Sequence, residues 1–182
     1  MRSDDDDGPP TTIIIAALGI AVTVALGVLG TAVYHQSNRK SSTPPTALAP
    51  QSQTPLCRTM LSALPTMLGD LPRIQTNAGP TSGLVSWGDA DAPVVVQCGV
   101  NRPSGFVVGS PLQVVDAVQW FRIADSRTDS DPAQGTTWVV VDRPVYLALT
   151  LPPDSGPTPI QQVSRIVTNT LPIVPIRPER TR

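Results

Sequence analysis

Along the chain, hydrophobic and polar positions fall into three zones. A short polar start gives way to one unbroken apolar run, Ile13 to Val33, that contains no charged residue. As a helix this run would be roughly 30 Å long, close to the hydrocarbon thickness of a bilayer. It predicts a transmembrane signal anchor over residues 12–34, preceded by a short acidic cytoplasmic tail over residues 1–11. Asp4 to Asp7 form an acidic block in that tail, whereas a cleaved secretory signal has a basic start and a shorter apolar core. The alternative is cleavage after the small residues Gly30 and Ala32, which would release a secreted protein. Within the run, Gly19, Thr23, Gly27 and Thr31 recur every four residues. They form a small-residue packing face that a second transmembrane helix can approach closely.

The second zone, residues 35–55, is rich in Pro, Ser, Thr and Gln and has no apolar periodicity. Such a composition cannot bury a core and behaves as an extended stalk.

The third zone, residues 56–172, is periodic and predicts the folded domain, with residues 173–182 as a flexible tail. Leu56, Met60, Leu61, Leu64, Met67, Leu68 and Leu71 recur at helical spacing, with Pro65 able to split the helix. Leu84 to Trp87 and Pro93 to Cys98 read as a hairpin around a Gly88–Asp91 turn. Val118 to Ala124, Thr136 to Val141 and Val145 to Leu151 read as further strands. Ile160, Val163, Val167 and Leu171 then share one face of a helix whose first turn holds Pro159. Short connections favour antiparallel pairing. The expected fold is therefore α+β: an antiparallel sheet of about five strands, with N- and C-terminal helices packed on one face, preceded by one transmembrane helix.

The two cysteines, Cys57 and Cys98, change the picture. In an exported domain they read as a disulfide pinning the first helix to the end of the second strand. Closing a loop of about 40 residues stabilises by roughly 4 kcal/mol on the chain-entropy argument. Orientation follows from weighing two signals. Arg39 and Lys40 after the span would keep the domain cytoplasmic, but the paired cysteines and the stalk favour the outside. The expectation is a single-pass plasma-membrane protein with an extracytoplasmic C-terminal domain.

The domain resembles an actinobacterial, mycobacterial-type family of membrane-anchored proteins known only as domain-of-unknown-function family 3515. The resemblance rests on CRTMLSALPTML from Cys57, WGDADAPVVVQCGV from Trp87 with Arg102 and Pro103 after it, VDAVQW from Val115, and the strands around Trp138 and Arg143–Tyr146. It implies a cell-envelope location and supplies no activity.

The formal net charge of −1 leaves no basic footprint for nucleic acid. The only histidine, His35, sits at the membrane boundary, and the only lysine, Lys40, lies in the stalk. The domain thus lacks the residues for Ser-His-Asp, Cys-His, Ser-Lys or histidine-zinc chemistry. No residue set suggests a metal or another cofactor. Asp89 and Asp91 fit a turn, while Asp125, Asp129 and Asp131 lack the glycine and terminal glutamate of a calcium loop. Asp116 and Asp142 read as isolated. Arg102, Arg122 and Arg143 are the candidate contacts for an anionic ligand. Trp87, Trp120 and Trp138 fall on strands and read as core.

No catalytic residue is assigned. The expected function is a non-catalytic binding or interaction module of the envelope, with a second envelope protein or a cell-wall component as partner. The alternative is a carboxylate- or arginine-based hydrolase or transferase acting on an envelope component.

Overall fold

In a computed structural model, which describes residues 49–75, 83–123 and 135–180, the domain starts where Thr54 caps a short helix. The Thr54 hydroxyl accepts from the Cys57 N–H, and Pro55 occupies the first helical position, where a missing N–H costs nothing. This helix, α1, spans Pro55–Ser62 and buries Cys57 and Met60.

The strands follow as β1 (Met67–Leu68), β2 (Leu71–Ile74), β3 (Leu84–Asp89), β4 (Ala92–Val100), β5 (Gln113–Val115), β6 (Val118–Arg122), β7 (Thr136–Val140) and β8 (Tyr146–Leu151). Helix α2, Thr158–Thr170, comes last, with Pro159 in its first turn. The eight strands form one sheet in the order β1-β2-β3-β4-β8-β7-β6-β5, and every pairing in it is antiparallel. Two successive meanders, β1–β4 and β5–β8, meet where β4 pairs with β8.

Alternation along the strands splits the apolar residues between two faces. One face carries Val94, Val96 and Cys98 of β4 beside Leu147, Leu149 and Leu151 of β8, with Trp87, Trp120 and Val140 alongside. Met60 of α1 and Leu64 just after it pack on this face, as do Ile160, Val163 and Val167 of α2 and Leu171 at its end. Both helices therefore cover the same side, as their spacing predicts. On the opposite face Phe106 packs at a tilt against Phe121 with ring centroids 5.4 Å apart, beside Val139, Val141 and Ala148.

Cys57 and Cys98 are joined, with Cα atoms 5.6 Å apart and both residues fully buried, so the bond fixes α1 to β4. Gly99 follows with φ +86, and a Cβ there would lie 2.3 Å from the Gln51 carbonyl carbon. Only glycine lets the chain entering α1 cross β4 at this point, where the Gln51 N–H donates to the Gly99 carbonyl. The β4–β8 register also shifts there, between Cys98 and Val100.

The sheet has eight strands where the sequence pattern suggests about five. The periodicity from Leu64 to Leu71 mimics a helix, but α1 stops at Ser62 and Pro65 prevents its continuation. Leu68 still reaches the core, from a strand instead of a helix. β5 is only three residues long and escapes a two-residue period. The span 12–34, its stripe Gly19, Thr23, Gly27 and Thr31, and His35 lie outside the described residues, as do Asp125, Asp129 and Asp131. Among the described residues no helix is long and apolar enough to cross a membrane.

Replacing both cysteines by serine is expected to lower unfolding free energy by about 2–5 kcal/mol. Denaturant unfolding under non-reducing conditions checks this, and an unchanged midpoint would show that the bond carries no stability.

Candidate functional site

A buried polar cluster begins in the loop between β7 and β8. The Asp142 and Arg143 side chains form an ion pair of 2.8 Å, and both are almost completely buried. They are sequence neighbours, so their approach needs only the tight bend that joins the two strands. Asp142 Oδ2 also accepts from the Gln119 N–H at 3.1 Å. The guanidinium donates through Nη1 to the Asp142 carbonyl and through Nη2 to the Ala117 carbonyl. Asp142 Oδ1 and Arg143 Nε have no hydrogen-bond partner among the described residues.

The pair organises three pieces of chain. The first is the β5–β6 turn, where Asp116 (φ 45) and Ala117 (φ 62) both adopt left-handed backbone. Two such residues in succession are the mark of a type I′ hairpin turn, normally Asn-Gly. Here the turn is held from outside, by Arg143 on the Ala117 carbonyl and by the Thr168 hydroxyl on the Asp116 carbonyl. The second is β6, whose Gln119 N–H donates to Asp142. The third is the segment after α2, where the Val174 N–H donates to the Asp142 carbonyl at 3.0 Å.

That segment, which the sequence leaves as a tail, runs along the domain as far as Glu179. The Glu179 N–H donates to the Phe106 carbonyl, its carbonyl accepts from the Val108 N–H, and its carboxylate pairs with Arg102 at 3.0 Å. Pro172, Ile173, Pro175, Ile176 and Arg177 along this stretch are exposed, while Val174 and Pro178 are half-buried. Proline recurs at 172, 175 and 178, a spacing visible in the sequence that reads there only as a helix stop.

The three candidate anion contacts are therefore placed as follows. Arg143 already holds Asp142, which its neighbour in sequence makes far from isolated. Arg102 pairs with Glu179 at the surface. Arg122 ends β6, five residues from the Ala117 carbonyl that Arg143 binds, or about 16 Å along an extended strand. The structure holds Arg122 and Arg143 apart.

Other chemistry-bearing residues serve local structure. Asp89 accepts from the Asp91 N–H and closes the β3–β4 turn. Trp87 and Trp120 are fully buried, their indole N–H groups donating to the Pro65 carbonyl and the Ser164 hydroxyl, so neither offers a face for sugar stacking. Among the described residues no group of His, Cys, Asp and Glu is arranged to hold a metal ion.

Removing one member of the buried pair strands the other charge. Asp142→Ala or Arg143→Met is expected to cost about 3–5 kcal/mol. The double change Asp142→Leu/Arg143→Met takes these partners from the Gln119 N–H and the Ala117 carbonyl but strands no charge, so it should cost less than either single change. Chemical denaturation of the three variants checks the order. Ala117→Val, which puts a branched side chain on a left-handed backbone, should cost at least about 1 kcal/mol, and Ala117→Gly should stay near zero in the same assay.

No curated protein and no solved structure matches the chain. A family model described as "Protein of unknown function (DUF3515)" matches residues 17–176. The chain therefore belongs to the DUF3515 family of proteins of unknown function.

Proposed function

We propose that this protein is a single-pass membrane protein whose domain stands outside the cytoplasm and binds a second envelope component without catalysing its turnover. The observation that carries the reading is the fully buried bond between Cys57 and Cys98, which fixes α1 to the central strand β4. Cytosolic thiols are kept reduced, so a structural disulfide at the heart of a core is the signature of an oxidising compartment.

The apolar run Ile13–Val33 supports the anchor. The family match begins at residue 17, inside that run, so most of the run belongs to the matched region together with the domain. Residues 49–55 pack on the domain, so the part of the stalk before residue 49 would then hold the domain away from the bilayer. A binding role, and not a catalytic one, is supported by how the polar groups are used. Asp142, Arg143 and Asp89 are engaged in holding loops together, and the sole histidine and lysine stand before the domain.

A reporter enzyme active only after export, fused behind Arg182, should be active, and a peptide map without reductant should recover Cys57 linked to Cys98. An inactive reporter with two alkylatable thiols would overturn the reading.

A further inference from the structure

We propose that residues 172–177 are a surface-presented polyproline-II ligand. It is docked by a separate protein bearing two aromatic-walled pockets about 9 Å apart with an acidic group beyond them. The proposal rests on the binding reading above and names its site and the chemistry of its partner.

Three observations lead there. The first is conformational. Proline fixes its own φ near −65° and pushes the preceding residue to extended backbone. With prolines at 172, 175 and 178, residues 171, 174 and 177 are also restricted, so six of the eight positions from 171 to 178 are confined. Leu171 already shows it, with φ −120 and ψ 129. The polyproline-II helix has three residues per turn, so prolines three apart line one edge of it.

The second observation is what faces outward. The chain presents the same dipeptide twice, Pro172-Ile173 and Pro175-Ile176, one turn apart, and all four residues are exposed. Ile173 is 68% exposed and Ile176 37%. A strap serving only to close the domain would turn its large apolar groups inward. Here the intervening Val174 is the half-buried residue, and its N–H is the one tied to Asp142. Arg177 follows the second pair and is also exposed, which supplies the charge an acidic rim would recognise.

The third observation is that both ends are fixed. Leu171 is in the core, Val174 is tied to the buried ion pair, and Glu179 is held by two backbone hydrogen bonds and by Arg102. A ligand already stiff and already placed loses little conformational freedom on docking, which is how short proline-rich segments achieve useful affinity.

The test places a photo-crosslinking benzoyl-phenylalanine at Ile173 or Ile176, one at a time, in the full-length chain in the membranes of the cells that make it. Val114, exposed on β5, carries the same group as a control. The expected result is an adduct from 173 and 176 whose crosslinked partner peptide contains Trp or Tyr next to Asp or Glu. Its yield should fall roughly tenfold in Pro172→Ala/Pro175→Ala, and severalfold in Arg177→Glu. All three substituted positions are exposed, so the thermal midpoint should fall by no more than a few degrees, the loss of proline stiffness in the unfolded chain. Adducts only with lipid, or protein adducts indifferent to the proline substitutions, overturn the proposal. Protein adducts at Val114 alone, or adducts at none of the three positions, overturn it while leaving the binding reading intact.

Discussion

The antiparallel contact between β4 and β8 joins two halves that would otherwise be incomplete. Each half is a four-stranded meander, and each places its most apolar strand at the seam. Val94, Val96, Leu147 and Leu149 all lie in one core cluster at this junction. Separating the halves would expose all four and open a long row of backbone donors and acceptors on each side, a template for association with other chains. With the seam closed, the sheet ends on β1 and β5, strands of two and three residues, which are too short to recruit a neighbour readily. The disulfide then binds the first helix to the same central strand, so the covalent link and the most apolar pairing reinforce one another.

The buried ion pair plays a different part. Two desolvated charges seldom add stability over an apolar pair of the same size. What Asp142 and Arg143 supply is position. Through one carboxylate, one guanidinium and one carbonyl they meet β6, the β5–β6 turn and the segment after α2. An apolar pair would fill the volume but could not tell the Ala117 carbonyl from its neighbours. The left-handed Asp116–Ala117 turn, whose second residue lacks glycine's freedom, is held by directional bonds from both sides.

Much of the domain was legible in the pattern of residues, and the parts that were not share a physical cause. β4 and β8 are buried on both faces, and such strands appear as continuous apolar runs, PVVVQC and YLALTL. The second helix shows its buried stripe at Ile160, Val163, Val167 and Leu171. The disulfide follows from two cysteines in a chain whose apolar run predicts export. β1 and β2 were hidden because Leu64, Leu68 and Leu71 keep a helical interval on either side of a proline, and burial alone does not report which backbone carries a leucine inward. The ion pair was hidden for another reason. Asp142 and Arg143 are adjacent in sequence, and adjacent residues on a regular strand point to opposite faces. Only a bend after Val141 turns both inward, and no periodicity announces a bend. Arg143 therefore resembled a free cation until the turn at Ala117 was in place.

The segment after α2 escaped attention because its prolines carry two meanings at once. A proline after a helix terminates it, and that accounts for Pro172 alone. Pro175 and Pro178 stand beyond any helix end, so termination does not explain their spacing. Nor does burial, since Ile173 is largely exposed and Ile176 partly so. Met67, Val108 and Val114 are exposed too, but Ile173 and Ile176 lie three residues apart on a stiff, doubly anchored segment. A flexible tail with the same residues could collapse onto the sheet. The prolines deny it that freedom, and the tie from Val174 to Asp142 sets which edge faces away. The same buried pair that shapes the hairpin turn thereby sets the exposed face of the segment, which links an internal polar contact to the surface on which recognition would occur.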